Sequence, residues 1–224
     1  MDLLVIADDF TGALDTGIQF ADAGLNTIVI TGRKISDDIM EKYQTIVVNT
    51  NTRHLPSCEA YRIVFDVVKH AMEKGVAHIY KKTDSGLRGN IGAELTSVLD
   101  ASGEKYLPFV PAYPELNRTT MRGVQYIENC PVAESVFGKD PFDPVHFSYI
   151  PDIIHQQCST EVQVIPAGAA REDLPIPCIA VYDACSVMEE KRIAQQLFED
   201  KLLRVTAGCA GFASVLTSHL KREK

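Results

Sequence analysis

Short apolar runs alternate with longer segments of helical spacing along most of the chain. The first run, Leu3 to Ala7, is continuously apolar, which is typical of a strand buried on both faces of a sheet. The next segment has the pattern of an amphipathic helix through Ala13, Ile18 and Ala21. Further strands are predicted at residues 27–31, 45–48, 76–81, 107–110, 162–165, 179–182 and 203–206, and further helices at residues 58–74, 91–102, 187–199 and 211–222. This alternation predicts an α/β fold with a mainly parallel sheet and helices on both faces.

The pattern changes at Met121, where apolar and polar residues alternate as far as Ile127, and a turn follows at residues 128–130. This predicts a β-hairpin at about residues 119–135, inserted in the α/β body or lying as an arm over a site. The loop at residues 166–177 is rich in Ala, Gly and Pro and is expected to be exposed. No composition shift marks a domain boundary, so residues 1–224 are predicted to form a single domain.

Composition and charge narrow the class of protein. The chain has 224 residues, of which 46% are hydrophobic and 23% charged, as in globular proteins. Its net charge of −8 argues against a nucleic-acid partner, because no basic stripe is present to neutralise phosphates. No apolar run reaches membrane-spanning length and no signal peptide is recognised, so we expect a cytoplasmic protein without a membrane partner. Six cysteines without a paired spacing predict reduced thiols and no metal site.

The strongest candidate site is a glycine-rich turn between a predicted strand and a predicted helix, at residues 82–90. Such a turn is suited to anions, because backbone N–H groups and the helix dipole point toward the ligand. Lys82 and Arg88 add positive charge, and an arginine can grip a carboxylate or phosphate through two parallel hydrogen bonds. Asp84, Ser85 and Asn90 are suited to hydroxyl groups. The mixture fits a small polyhydroxylated acid better than a nucleotide.

Each residue of this turn also has a purely structural interpretation. Asp84 or Ser85 can cap the helix, Gly86 can turn the chain, and Arg88 can be a solvated charge. The concentration of polar and glycine residues at one strand-to-helix junction is what favours a binding site.

Two further polar clusters follow predicted strands. Asp8 and Asp9 come directly after the first strand, where a carboxylate can accept a proton from a hydroxyl, bind magnesium, or order the turn. The loop at residues 111–120 follows the strand at 107–110 and contains Asn117 and Arg118. Because ligands of parallel sheets bind at the carboxyl ends of the strands, the clusters are expected to face one crevice.

The first cluster has an alternative interpretation as part of a magnesium-dependent phosphatase of the haloacid dehalogenase type, a class that also places aspartates after its first strand. That class requires a second aspartate two positions after the first, and this chain has Phe10 there, so the sequence supports the class weakly.

Three motifs together resemble the four-carbon acid sugar kinase family. They are Ile6-Ala7-Asp8-Asp9-Phe10-Thr11-Gly12-Ala13, Lys82-Thr83-Asp84-Ser85-Gly86-Leu87-Arg88-Gly89-Asn90 and Pro111-Ala112-Tyr113-Pro114. The hairpin and connector at residues 123–144, with Asp140-Pro141, and the segment at residues 207–213 are also similar to that family. The resemblance covers essentially the whole chain. Two departures are Cys130, where the hairpin turn usually has glycine, and Cys209, where a serine is usual.

The resemblance implies the amino-terminal half of a two-domain, ATP-dependent kinase that phosphorylates acids such as threonate and erythronate. In that family the amino-terminal domain holds the acid and a carboxy-terminal domain holds ATP with Mg²⁺. This chain resembles the first half only, so we expect no tightly bound cofactor and no independent kinase activity. The carboxy-terminal domain is expected on the same or another chain, and a homodimer is left open.

The roles expected at the site follow from the resemblance. Arg88 and the turn N–H groups hold the substrate carboxylate, and Asp84 and Ser85 hold its hydroxyls. Asp8 or Asp9 orients or deprotonates the attacking hydroxyl. Charge neutralisation is expected from Lys82 and Arg118, and Thr11, Gly86, Asn90 and Asn117 complete the expected substrate-binding set. The alternatives are the phosphatase and a stand-alone binding or regulatory protein for the same acids.

Overall fold

Eight parallel strands form one sheet in the computed structural model, which describes residues 1–169 and 176–220. The strands are β1 (Leu3–Ala7), β2 (Thr27–Ile30), β3 (Thr45–Asn49), β4 (His78–Lys82), β5 (Tyr106–Val110), β6 (Arg118–Met121), β7 (Val124–Ile127), β8 (Cys130–Pro131), β9 (Glu161–Ile165), β10 (Cys178–Tyr182) and β11 (Val205–Gly208). The parallel sheet has the order β2-β3-β1-β4-β11-β5-β10-β9, and β6, β7 and β8 form a separate antiparallel sheet. The predicted α/β class is confirmed.

Helices cover both faces of the parallel sheet. They are α1 (Phe10–Asp22), α2 (Asp37–Lys42), α3 (Ser57–Glu73), α4 (Ile91–Ser102), α5 (Ile150–His155), α6 (Val187–Glu199) and α7 (Ala210–Leu220). Alternate residues of β1 enter opposite cores, as strand geometry requires: Leu4 packs in the core of α3, α4 and α5, and Leu3 in that of α1, α6 and α7. No α2 or α5 was predicted, because six residues are too short to show a helical period. In the described residues, none of the helices combines the length and apolarity needed to cross a membrane.

The predicted hairpin is a three-stranded antiparallel sheet. Arg122 and Gly123 join β6 to β7 with φ values of 53° and 73°, and Glu128 and Asn129 join β7 to β8 with φ values of 50° and 67°. Two consecutive left-handed residues give the tight turn that matches strand twist. Cys130 therefore lies just after the turn, as the first residue of β8. The expectation of an exposed loop at residues 166–177 falls partly outside the described residues.

The antiparallel sheet is attached at the carboxyl edge of the parallel sheet. Thr120 and Ala184 exchange backbone hydrogen bonds of 2.9 and 3.0 Å, which joins β6 to the loop after β10. Gln125 Nε2 donates to the carbonyl oxygen of Ser85 at 3.2 Å and so contacts the glycine-rich turn. The sheet therefore lies against the candidate site.

Gly92 lies where the first turn of α4 packs on α5. A Cβ added at Gly92 would overlap the carbonyl oxygen of Ile154 and stand 3.0 Å from its carbonyl carbon. Backbone atoms of a packed helix cannot move aside cheaply, so this contact requires glycine.

We predict that Gly92→Ala lowers the free energy of unfolding by about 1 to 3 kcal/mol through overpacking, although alanine is favoured over glycine in helices. Thermal unfolding measures the change, at about 2 to 4 °C for each kcal/mol in a domain of this size. Gly32→Ala is the control, because a Cβ at Gly32 meets nothing within 4 Å. Equal melting temperatures for the two variants would contradict the packing argument.

Glu190 is a buried carboxyl group on α6, with 1% of its surface exposed. Its Oε1 has no hydrogen-bond partner in the described residues. Burial, with a smaller contribution from Glu115, raises the pKa of Glu190 to about 8. The folded state therefore binds this proton more tightly than the unfolded chain does, and the resulting stability is lost as pH rises from the ordinary pKa toward 8.

We predict that Glu190→Gln removes this pH dependence. Relative to the parent, the variant should gain stability between about pH 5 and about pH 8, because the amide carries no proton to lose. Urea unfolding at both pH values measures the difference, and Glu199→Gln at the exposed end of α6 is the control. A stability difference that does not change with pH would contradict the assignment.

Candidate functional site

The candidate site is formed where three neighbouring strands end. β1 lies between β3 and β4, with Ala7 paired to both Asn49 and Lys82. The residues after β1, the loop after β3 and the turn after β4 therefore meet at one edge, as the sequence analysis expected for the first and third of these.

Arg53, in the loop after β3, is the centre of this site. Its Nε lies 2.6 Å from Asp8 Oδ2, and its Nη2 lies 2.9 Å from Asp9 Oδ1 and 3.8 Å from Asp84 Oδ1. Burial acts to lower the pKa of Arg53, but the three carboxylates outweigh it and raise that pKa. Arg53 was not among the predicted site residues.

Asp8 and Asp9 have different surroundings. The Asp8 side chain is 3% exposed, and its Oδ1 has no partner in the described residues. Asp9 caps α1 by accepting a hydrogen bond of 3.1 Å from the Gly12 N–H, lies 3.8 Å from Lys82 Nζ, and is 26% exposed. A ligand in the crevice can therefore reach Asp9 more readily than Asp8.

Arg88 binds Asp84 through the fork of its guanidinium. Nε donates to Asp84 Oδ2 at 2.8 Å and Nη2 donates to Asp84 Oδ1 at 3.1 Å, while Nη1 donates to Asp140 Oδ2 at 3.0 Å. Burial acts to raise the pKa of Asp84, but the Arg88 hydrogen bond and the charges of Arg53, Arg88 and Lys82 lower it overall. Asp84 is thus held as a carboxylate. It accepts the two parallel hydrogen bonds of Arg88 that the sequence analysis expected a substrate to accept.

Ser85, Gly86 and Arg118 meet around one aromatic ring. Arg118 Nη1 donates a hydrogen bond to Ser85 Oγ. The guanidinium carbons of Arg88 and Arg118 lie 5.0 and 5.1 Å from the centre of the Phe137 ring, within the range of cation–π contacts. A Cβ at Gly86 would lie 2.5 Å from that ring, so the close approach of the turn requires glycine.

The remaining predicted residues are placed differently. Asn90 is 6% exposed, and its Nδ2 donates to the carbonyl oxygens of Thr52 at 2.9 Å and Leu55 at 2.8 Å, so its amide holds the loop that carries Arg53. Thr11 and Asn117 are exposed, and within the described residues no hydrogen bond or ion pair connects either side chain to the charged network. The structure therefore brings together the predicted aspartates, Lys82, Ser85, Gly86, Arg88 and Arg118.

A cavity of about 320 Å³ adjoins the network. Arg53, Arg88 and Asn90 line it together with His54 and His146. Asp143 lines it too, beside His54, so the two arginines are the permanent cations of a cavity whose volume suits a small molecule. A larger cavity of about 780 Å³ lies against α3 and α4, but none of the predicted site residues lines it.

Neither a metal nor a nucleophilic cysteine is indicated at this edge. Within residues 1–169 and 176–220, no group of three or more His, Cys, Asp and Glu side chains is arranged to hold a metal ion. Cys209 is 1% exposed and its Sγ lies 2.8 Å from the carbonyl oxygen of Ala112. Burial raises the pKa of Cys209 to about 12, so this thiol is packed and is not activated as a nucleophile.

Comparison with known proteins identifies the family. A model described as a sugar-binding N-terminal domain matches residues 3–216. A D-threonate kinase of Salmonella typhimurium is 33% identical over 98% of this chain and 54% of its own length. A D-erythronate kinase of Heliobacterium modesticaldum is 32% identical over 85% of this chain and 44% of its own length. The chain thus spans about half the length of the relatives it matches.

A solved structure has the same fold. It is a domain of unknown function from Bordetella bronchiseptica, a domain-swapped dimer with bound citrate. It is 29% identical, has a TM-score of 0.87, and the match covers 100% of this chain and 57% of that one. With the family model, these matches show that the chain belongs to the family of sugar-binding N-terminal domains found in four-carbon acid sugar kinases.

Proposed function

We propose that this chain is the substrate-binding half of an ATP-dependent kinase for four-carbon sugar acids such as threonate and erythronate. The observation that carries the proposal is the meeting of Arg53, Arg88 and Lys82 with Asp9 and Asp84 at the carboxyl edge of β1 and β4, in a chain of the sugar-binding family. Permanent cations suit the carboxylate of such an acid, and fixed carboxylates suit its hydroxyl groups.

The acid's carboxylate binds at Arg88 and the backbone of the glycine-rich turn. The Arg88 side chain is 26% exposed and faces the cavity of about 320 Å³, so a small acid reaches it directly. Among the described residues, the N–H groups of Ser85 and Gly86 have no protein acceptor, and buried N–H groups without acceptors favour an anion. Asp84, kept ionised by its lowered pKa, and Ser85 bind the hydroxyl groups.

Asp9 takes the proton of the attacking hydroxyl. Asp8 is less suited to this role, because it is almost fully buried and held by Arg53. The position of Asp9 is fixed at Oδ1 by its capping bond to α1 and by Arg53, and its side chain is 26% exposed. Lys82 and Arg118 stabilise negative charge that develops on the substrate.

In this proposal, ATP and Mg²⁺, which kinases generally use, bind to a carboxy-terminal domain and not to the half described here. We assign no step to either cofactor here. Turnover then requires a carboxy-terminal kinase domain on the same or another chain. The phosphatase and the stand-alone binding protein are separated from this proposal by activity tests.

We predict that Arg88→Ala weakens binding of four-carbon sugar acids about tenfold to a hundredfold, equal to about 1.5 to 3 kcal/mol for a charge-assisted pair. Isothermal calorimetry with D-threonate and D-erythronate measures the loss. Arg62→Ala, at an exposed position of α3, is the control and should bind like the parent. Parent-like affinity in the Arg88 variant would remove Arg88 from the carboxylate site.

We predict that the 224-residue chain binds a sugar acid but does not phosphorylate it. Thermal stability should rise with an acid alone, by about 2.7 kcal/mol at a hundred times its dissociation constant, and should not change with ATP and Mg²⁺. Phosphorylation by the purified chain would contradict the need for a second half. Magnesium-dependent release of phosphate from small phosphoesters would favour the phosphatase. A chain that binds the acid but supports no phosphorylation when a nucleotide-binding domain is added would favour a binding protein.

A further inference from the structure

A buried ion pair lies directly beneath the candidate site. Lys81 of β4 and Glu94 of α4 have side chains that are 0% and 3% exposed, with Nζ 2.7 Å from Oε2. Because adjacent side chains of a strand point to opposite faces of the sheet, the Lys81 side chain lies on the face opposite to that of Lys82. Lysine and glutamate are almost never fully buried unless they are paired, and even a paired burial adds little net stability. Burial raises the pKa of Glu94 despite the charge of Lys81, which agrees with a costly pair.

The other hydrogen bonds of this pair reach the loops of the site. Lys81 Nζ donates to the carbonyl oxygens of Lys82 at 2.7 Å and Ile6 at 3.3 Å, next to the ends of β4 and β1. Glu94 Oε1 accepts a hydrogen bond from Thr52 Oγ1, in the loop after β3. The pair therefore joins all three strand ends from which the site is built.

Thr52 transmits this connection to Arg53. The N–H groups of Thr52 and Arg53 both donate to the carbonyl oxygen of Asp8, at 3.0 and 3.3 Å. Asn90 Nδ2 binds the carbonyl oxygen of Thr52 from the other side at 2.9 Å. The backbone of Arg53 is thus fixed next to Asp8, which allows its side chain to reach Asp9 and Asp84 as well.

We propose that Lys81, Glu94 and Thr52 are positioning residues that place Arg53 among the three aspartates and thereby set the affinity for the acid. None of the three needs to touch the ligand. The affinity part of this inference rests on the proposed function, whereas the positioning part does not. The competing interpretation is that the pair is a core ion pair without influence on the site.

Thr52→Val tests the proposal because it keeps the shape of the side chain and removes the hydroxyl, and with it the hydrogen bond to Glu94 and a contact of 2.9 Å with Thr50 Oγ1. We expect sugar-acid affinity to fall by up to about tenfold, because the loss cannot exceed the free energy of the hydrogen bond to Glu94 that positions the loop. Thr52→Ser restores the hydroxyl and should restore the affinity. Thr45→Val is the matched control at the other end of β3, since the buried Thr45 hydroxyl has no partner in the described residues. It should bind like the parent.

A second measurement needs no ligand. The Arg53 Nε–H is bonded to Asp8 on a side chain that is 10% exposed, so its NMR resonance should exchange slowly with water. We expect this protection in the parent, Thr52→Ser and Thr45→Val, and its loss in Thr52→Val. If the parent binds no sugar acid, the proposed function fails while this readout still decides the positioning. Retained protection in Thr52→Val, or lost protection with unchanged affinity, overturns the inference.

Discussion

The balance of charge around Arg53 is the constraint on which the site depends. Asp8, Asp9 and Asp84 approach one guanidinium from two strand ends, and like charges this close repel each other unless a cation lies between them. A buried carboxylate without a partner is also costly, and Asp8 is almost fully buried. The sheet order β3-β1-β4 satisfies this requirement. It places the loop after β3, which carries Arg53, next to the ends of β1 and β4, which carry the aspartates.

Two consecutive lysines of β4 serve this arrangement from opposite faces. Lys82 lies beside Asp9 at the start of α1, whereas Lys81 is buried against Glu94 of α4. Strand alternation makes this division possible, because adjacent residues point to opposite sides of a sheet. β4 therefore contributes one cation to the crevice, Lys82, and one cation to the buried ion pair with Glu94, Lys81.

The sequence was sufficient for the features that depend on local pattern. The parallel strands, the antiparallel insertion and the meeting of Asp8 with Lys82 and Arg88 at one edge follow from periodicity and from the geometry of parallel sheets. Arg53 could not be recognised in this way, because a basic residue in a polar loop has the same local pattern whether it is solvated or buried.

The burial of Lys81 likewise depends on a contact that sequence spacing does not show. Its partner Glu94 lies on the next helix, across the glycine-rich turn, and only the packing of α4 on the sheet brings the two together. Asn90 illustrates the opposite case. Its residue type suited a hydroxyl ligand, but its amide donors are used by the carbonyl groups of the loop after β3. The residue type predicted that Asn90 makes polar contacts, and the tertiary structure decided that its partners are backbone carbonyl groups and not a ligand.

Under the proposed function, the network also explains how a site rich in carboxylates binds an acid. Arg88 has two acidic partners of different kinds: Asp84 belongs to the same turn, whereas Asp140 comes from the connector after the antiparallel sheet. Hydrogen bonds from the N–H groups of Asp143 and Phe142, with Arg88, lower the pKa of Asp140 to about 2, so it is a carboxylate at neutral pH. A substrate carboxylate has the same chemistry as Asp140, and Nη1 of Arg88 binds Asp140 while Nε and Nη2 bind Asp84. Under the proposed function, Asp140 thus occupies the place of the acid.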